Sequence, residues 1–161
     1  CAERSSRKLA TYVAFLDFQT AFPLTFKPLV WVKLHEAGIT GTLWQATREL
    51  YANVSSRVIH PEIDNEKLFK IPQGLREGSK LSPTLFSLAV NDLPTFIRYG
   101  SGADTELGVP PVRGGPYAGC LLFADDVALI AQSPEELRAM IQRAQAFARS
   151  HGLIINFAKC A

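Results

Sequence analysis

The sequence predicts an α+β fold, with helices packed on one face of a mostly antiparallel sheet. Short apolar runs rich in aromatic and β-branched residues are typical of strands, and helical periodicity separates them. The predicted order is strand, two helices, hairpin, helix, hairpin, helix and strand, without the regular alternation that a parallel sheet requires. With 161 residues, 47% apolar, the chain has enough apolar side chains for a core.

The first predicted elements are a buried strand and a helix. TYVAFLDF, residues 11–18, is a near-continuous apolar run with Asp17 near its end. The helix follows in PLTFKPLVWVKLHEAG, where Thr25 is the predicted cap and Pro28 lies in the first turn. Gly38 ends this helix in the position that glycine favours after a helix.

A second helix is predicted over LWQATRELYANV, and a hairpin and a third helix follow it. The second helix has an apolar face of Leu43, Ala46, Leu50 and Tyr51. SRVIH and KLFKI flank PEIDNE and form the predicted hairpin. Ser82-Pro83 begins the third helix, and Pro94 ends or kinks it. Its apolar stripe is Leu85, Phe86, Ala89, Val90 and Leu93.

The last third of the chain predicts a surface loop, a hairpin, a helix and a strand. Residues 100–116 hold five glycines and three prolines, which indicates a long surface loop. YAGCLLFA and VALIA form the hairpin around two aspartates. SPEE is a capping box that starts a helix from Ser133, and Gly152 closes that helix. LIINF is the final strand.

Composition limits the functional classes. The net charge is +2 with a pI of about 8.5, which is weak evidence for a nucleic-acid partner. Three cysteines at positions 1, 120 and 160 predict neither a disulfide framework nor a metal-ligand pattern. No signal peptide or membrane span is visible, so an intracellular location, nuclear or cytoplasmic, is expected. Because Met140 is the only methionine, we expect the chain to be a piece of a longer protein.

Two adjacent carboxylates interrupt the apolar run LLFADDVALIA. Asp125 and Asp126 have two interpretations. In one, a hairpin turn exposes both side chains to water. In the other, a divalent metal ion neutralises them, because unpaired buried carboxylates cost several kcal/mol or more.

Asp17 favours the second interpretation. If its strand neighbours the hairpin strands, three carboxylates converge at one edge of the sheet. Three carboxylates without histidine or cysteine form a hard oxygen site suited to Mg²⁺. Such a site can hold two ions ~3.5–4 Å apart and support in-line nucleotidyl transfer.

The motifs resemble the palm of reverse transcriptases, especially those of non-LTR retroelements. FLDFQTAF resembles the first palm motif, and GLREGSKLSPTLFSLAVNDLP resembles the second. FADD is similar to the third motif, and GLIINFAKC to the fourth. The four occur in the family order and span nearly the whole chain, so the resemblance implies a palm-type fold that includes part of the fingers. The remaining fingers, the thumb and any other catalytic domain would lie outside it.

The resemblance implies roles for the acidic residues and for one lysine. Asp17, Asp125 and Asp126 would hold two Mg²⁺ ions, with Mn²⁺ as the alternative, and the Phe18 carbonyl would add a ligand. Lys159 would approach the triphosphate and protonate pyrophosphate as a general acid. The alternative for Lys159 is an ordinary surface lysine.

Four other residues would meet the nucleotide. Phe22 matches the steric gate that excludes a ribose 2′-hydroxyl, although a core aromatic is the alternative. Gly78 would shape the floor under the nucleotide, and Arg76 would contact phosphate unless it is a solvated loop residue. Glu77 stands where most relatives carry glutamine. At an effective dielectric near 20, its charge ~4 Å from a phosphate charge would cost about 4 kcal/mol. A second departure is Pro23, which replaces an aspartate found in many relatives.

The resemblance therefore predicts an RNA-directed DNA polymerase fragment. Its partners would be an RNA template, a DNA primer, deoxynucleotides and the rest of a parent polyprotein. The main alternative is an inactive retroelement relic with no turnover. A phosphoacceptor signalling domain also uses an acidic pair, an aspartate and a lysine, but there the pair comes first and the single aspartate later, the reverse of the order here.

Overall fold

The computed structural model describes residues 10–57, 59, 68–100, 102, 106–109 and 117–160. The chain divides into two compact units. The sheet unit comprises the chain up to Ala21 and from Val90 onward, and the helical unit comprises Phe22–Ala89. The strands are β1 (Tyr12–Gln19), β2 (Ser55–Ser56), β3 (Phe69–Lys70), β4 (Cys120–Phe123), β5 (Asp126–Ala131) and β6 (Ile154–Ile155). The helices are α1 (Ala21–Leu24), α2 (Lys27–Glu36), α3 (Gly41–Ala52), α4 (Ser82–Ala89), α5 (Leu93–Tyr99) and α6 (Pro134–Ser150).

The sheet unit is built on a four-stranded antiparallel sheet of order β4-β5-β1-β6. Side chains of β1 alternate between the two faces, as a strand with one covered face requires. Ala14, Leu16 and Phe18 are buried, whereas Val13 and Phe15 are exposed on the open face. Helices α5 and α6 contact the strands of this sheet and each other. The predicted α+β class, with helices on an antiparallel sheet, is confirmed.

Helix α6 forms as its sequence predicts. The Ser133 hydroxyl accepts a hydrogen bond from the Glu136 backbone N–H at 3.1 Å, which confirms Ser133 as the N-cap and one half of the predicted capping box. The Glu136 carboxylate in turn accepts backbone N–H groups from Gln132 and Gly108. Gly152 follows the helix with φ of +68°, as expected after a helix end. The apolar stripe that α6 buries is Met140, Ala144, Phe147 and Ala148.

One helix of the sheet unit was missed by the sequence prediction. Pro94 was expected to end or kink the third helix, but α4 already ends at Ala89. Pro94 lies instead in the first turn of α5, where its missing N–H leaves no helical hydrogen bond unmade. Apolar Val90 and Leu93, which extend the stripe of α4 in sequence, made the two helices look like one.

The helical unit packs α2 against both α3 and α4, and β2 pairs antiparallel with β3. The predicted antiparallel pairing of that hairpin is confirmed, while its PEIDNE loop lies outside the described residues. Two other predictions were wrong. Phe26, not Thr25, is the N-cap of α2, because the helix begins one residue later than predicted, at Lys27. Leu43, Ala46 and Leu50 of the predicted α3 face are exposed. Tyr51 is buried as predicted, and α3 also buries Thr47.

The predicted loop at 100–116 lies largely outside the described residues. Its described part is tied to the sheet unit at several points. The Arg98 guanidinium pairs with Glu106 and lies 4.9 Å from the Tyr117 ring centroid. Tyr117 donates its hydroxyl to the Leu107 carbonyl at 2.9 Å. In the described part of the chain, no helix is long and apolar enough to cross a membrane.

Candidate active site

The acidic residues of the sheet unit are placed by strand register. β1 and β5 run antiparallel with Asp17 directly opposite Asp126. Asp17 lies on the open face because its neighbours Leu16 and Phe18 point into the core. Its side chain is 24% exposed, and Asp126 is exposed. Strand pairing thus brings together two carboxylates that are 109 positions apart in the sequence.

The hairpin of β4 and β5 has a two-residue connection. Phe123 pairs with Asp126, so Ala124 and Asp125 form the loop. Ala124 has φ of +54°, in the left-handed region that a residue with a Cβ rarely adopts. Asp125 therefore lies in the turn, as the exposed-turn interpretation predicted, whereas Asp126 is already the first residue of β5. We call Asp17, Asp125 and Asp126 the acidic edge.

Lys159 lies beside the acidic edge. Its Nζ is 3.7 Å from Asp17 Oδ2, and its side chain is 70% exposed. The backbone holds this segment in place, because Asn156 donates its N–H to the Asp17 carbonyl and accepts one from Lys159. An exposed pair at this distance contributes little stability. The long side chain can therefore move without cost to the fold.

The acidic edge carries more negative than positive charge. Like charges directly across a strand pair repel, so Asp17 and Asp126 favour a cation between them. Carboxylate oxygens suit a hard divalent cation, and in this respect the donors fit such an ion. Among the described residues, no three histidine, cysteine, aspartate or glutamate side chains are grouped closely enough to hold a metal ion. The structure thus brings two carboxylates face to face, and Asp125 follows in the turn.

Two neighbouring features complete this region of the sheet unit. Phe18, whose carbonyl the resemblance assigns to the metal, is buried in β1 and pairs with Ile155 of β6. A cavity of about 380 Å³ adjoins Asp126 on the hairpin. Apolar residues supply most of its lining, among them Phe15, Leu121 and Phe123.

The other predicted site residues lie in the helical unit. The Phe22 ring is half-buried and packs edge-on against Phe86, with ring centroids 5.6 Å apart. Its backbone carbonyl accepts the Leu75 N–H at 2.7 Å. Pro23 lies so close to Gly74 that a Cβ added at Gly74 would be 2.4 Å from the Pro23 carbonyl oxygen. The segment after Gly74 is thereby held against the segment after Phe22.

Arg76, Glu77 and Gly78 form a tight turn with Ser79. The Ser79 N–H donates to the Arg76 carbonyl at 3.3 Å, and Gly78 has φ of +76°. Arg76 and Glu77 are exposed and help to line a cavity of about 400 Å³. The remaining lining residues are Pro23, Val54, Ser55, Ser56, Ile71, Gln73, Gly74 and Leu75.

Sequence reasoning missed the buried polar groups of the helical unit. Lys27 is 8% exposed, and its ammonium donates to the carbonyls of Tyr51 at 2.9 Å and Ile71 at 3.2 Å. Burial lowers the pKa of Lys27. Tyr51 was expected only as an apolar contact of α3, but its hydroxyl is also hydrogen-bonded. The sequence offered one indication, namely a lysine at the first position of α2 and a tyrosine near the end of α3.

Comparison with known proteins identifies the family of the chain. A model of the family described as reverse transcriptase (RNA-dependent DNA polymerase) matches residues 2–161. The RNA-directed DNA polymerase from mobile element jockey of Drosophila melanogaster is 30% identical, over 92% of this chain and 15% of its own length. A retrovirus-related Pol polyprotein from type-1 retrotransposable element R2 of Nasonia vitripennis is 26% identical, over 92% of this chain and 14% of its own. The chain thus spans about one seventh of these relatives.

A solved structure shows the same fold. The telomerase of Candida albicans, in complex with a fragment of telomeric RNA, superposes with a TM-score of 0.61 at 12% identity. The match covers 99% of this chain and 28% of the telomerase chain. The palm-like α+β fold is thereby confirmed. The family match over nearly the whole chain, with motifs in the order predicted from the sequence, shows that this chain belongs to the reverse transcriptase family, in its non-LTR retroelement form.

Proposed function

We propose that this chain is the palm segment of a larger retroelement reverse transcriptase. In that protein it would transfer deoxynucleotides to a primer 3′-hydroxyl, copying RNA into DNA. The observation that carries the proposal is the pairing of Asp17 with Asp126 on adjacent strands, with Lys159 Nζ 3.7 Å from Asp17. Facing carboxylates can bind divalent ions, and a two-metal site stabilises both the attacking and the leaving oxygens of nucleotidyl transfer.

The carboxylates of the acidic edge would bind divalent cations. Asp17, Asp125 and Asp126 would hold two Mg²⁺ or Mn²⁺ ions, with the Phe18 carbonyl as a further ligand. When bound, the ions would supply Lewis-acid activation of the primer hydroxyl and would stabilise charge on the leaving pyrophosphate. The buried side chains of β1 and β5 on either side of the acids would keep the pair at a fixed spacing.

Lys159 would act on the leaving group. Its exposed ammonium carries three donors on a flexible stem, so it can follow the phosphates as the pyrophosphate leaves. In this role it would give a proton to a pyrophosphate oxygen, and Asp17 would be its partner in the absence of nucleotide.

In the helical unit, Phe22 would select the sugar and the Arg76–Ser79 turn would meet the nucleotide. Phe86 packs against the Phe22 ring and limits its movement, which supports a role in excluding a 2′-hydroxyl. Arg76 would contact phosphate, and Gly78 would allow close approach of the backbone. The partners of the whole protein would be an RNA template, a DNA primer and deoxynucleotides.

A second candidate is an inactive relic that keeps the fold and has lost turnover. The observation in its favour is Glu77, which lies exposed in the turn that would meet the nucleotide. Its carboxylate would oppose a triphosphate in that position.

Primer extension tests the proposal. The protein that contains this chain, with its flanking parental sequence, is supplied with an RNA template, a DNA primer, deoxynucleotides and Mg²⁺. We expect extension by the parent protein. We expect Asp126→Asn to lose about 10³-fold or more of the rate, because a missing metal-binding carboxylate removes several kcal/mol of transition-state stabilisation.

Asp92→Asn is the matched control, since Asp92 is an exposed aspartate at the start of α5 and does not belong to the strands or the turn that carry the acidic edge. This control is expected to extend at the parental rate. A folded parent protein that binds primer and template but does not extend the primer would favour the relic.

A further inference from the structure

The turn that carries Glu77 and Gly78 has a defined geometry. Arg76 accepts the Ser79 N–H across the turn, and the positive φ at Gly78 is that of the third residue of a type II turn. Glu77 is the second residue of the turn and is exposed. The direction in which Arg76 and Glu77 project is therefore set by how the base of this turn is anchored.

A chain of hydroxyl groups anchors the base of the turn. The Ser82 hydroxyl donates to the Arg76 carbonyl at 2.6 Å, since a carbonyl can only accept. Having used its proton, Ser82 Oγ accepts from the Tyr51 hydroxyl, 3.0 Å away. The Tyr51 oxygen then accepts from Ser79 Oγ at 3.3 Å, and Ser79 Oγ accepts the Leu81 N–H. Each hydroxyl thus donates one hydrogen bond and accepts one, and each bond polarises the next.

Tyr51 is the one member of this chain of hydroxyls that is remote in sequence. It is 2% exposed at the end of α3, and its ring lies 6.2 Å from that of Trp31. Its backbone carbonyl accepts the ammonium of Lys27, which also donates to Ile71 ahead of the turn. Tyr51 is therefore held by its ring and its backbone, while its hydroxyl holds the turn.

We propose that Tyr51 is a positioning residue for the nucleotide: through Ser79 and Ser82 it keeps the Arg76–Ser79 turn in the conformation that meets the incoming deoxynucleotide. The inference rests on the proposed function. Without the phenol hydroxyl, Ser79 and Ser82 lose their shared partner and the turn becomes more mobile. Nucleotide binding must then order the turn, which weakens binding and leaves the chemistry at the acidic edge unchanged.

Steady-state kinetics of Tyr51→Phe in the extending parent protein test this. Tyr117→Phe is the matched control, because it also removes one hydrogen-bonded phenol hydroxyl, which in this case donates to the Leu107 carbonyl in the sheet unit. For Tyr51→Phe we expect the KM for deoxynucleotide to rise about 5–10-fold, the effect of about one hydrogen bond, with kcat within about twofold. Tyr117→Phe is expected to keep the parental KM. Ser79→Ala removes the donor to Tyr51 and the acceptor of the Leu81 N–H but keeps the bond between Tyr51 and Ser82, so it is expected to raise KM by less.

Hydrogen exchange of the backbone amides provides the second readout. The amides of Ser79 and Leu81 are expected to exchange faster in Tyr51→Phe and at the parental rate in Tyr117→Phe. A parental KM in Tyr51→Phe, or a KM that rises equally in both variants, would overturn the positioning role while the proposed function stands. Absence of extension by the parent protein is a separate result, which overturns the proposed function and this inference with it.

Discussion

The acidic edge and the Arg76–Ser79 turn are held in place by different means. In the acidic edge, backbone pairing of β1 with β5 sets the distance between Asp17 and Asp126, and the Asp126 side chain is exposed. The turn is instead anchored by hydrogen bonds from buried side-chain hydroxyls, because Ser82 donates to the Arg76 carbonyl and Tyr51 donates to Ser82. A substitution at the acidic edge should therefore change chemistry with little effect on folding, whereas one beneath the turn should change stability and binding.

After Asp126→Asn, the largest expected effect is at Lys159 of the same region. Lys159→Ala is expected to lower kcat about 10²-fold, the low end of what a general acid contributes, with the free energy of unfolding unchanged within about 0.5 kcal/mol. Lys159→Arg separates the proton from the charge, because arginine keeps the charge but does not release its proton. We expect Lys159→Arg to have the parental KM for the nucleotide and a low kcat. If arginine instead gives the parental rate of single-turnover extension, the role of Lys159 is purely electrostatic.

The next effect tests the turn at Ser82. Ser82→Ala removes a buried hydroxyl that donates to Arg76 and accepts from Tyr51, so the Arg76 carbonyl and the phenol each lose a partner. We expect the free energy of unfolding to fall by about 2 kcal/mol, measured by urea denaturation. Ser55→Ala, at an exposed strand position, is the control and should change it by less than about 0.5 kcal/mol. Equal small losses in both variants would mean that the hydroxyl chain does not stabilise the unit.

The smallest effect tests the hairpin loop at Ala124. The positive φ of Ala124 is unfavourable for a residue with a Cβ and acceptable for glycine, so Ala124→Gly is expected to stabilise the protein by about 0.5–1 kcal/mol. Ala128→Gly is the matched control in the same hairpin, in regular strand conformation. It should destabilise the protein by about 1 kcal/mol. In thermal unfolding, a higher Tm for Ala124→Gly and a lower Tm for Ala128→Gly would support the left-handed turn. An equal fall in Tm in both variants would contradict it.

Much of the sheet unit could be predicted from the sequence because its signals are local. The helix start at Ser133, the strand before Asp17 and the helix end at Gly152 each depend on neighbouring residues. The strand was predicted to be buried, but only one of its faces is, because a continuous apolar run does not say whether both faces are covered. The division of α4 from α5 at Pro94 was missed because apolar periodicity continues across the break. On α3, Tyr51 is buried as predicted, but Leu43, Ala46 and Leu50 are exposed and Thr47 is buried, because periodicity alone does not say which face another helix covers.

By itself, the sequence determined the family, the antiparallel α+β class and the identity of the acidic residues, since ordered motifs and strand patterns are properties of short segments. The roles of those acids remain proposals that the extension assay tests. Only the tertiary structure decided that Asp17 faces Asp126, because register between strands 109 residues apart depends on which apolar faces are buried together. It alone also showed the hydroxyls of Tyr51, Ser79 and Ser82 meeting beneath one turn, because a hydrogen bond between remote side chains has no sequence period to mark it.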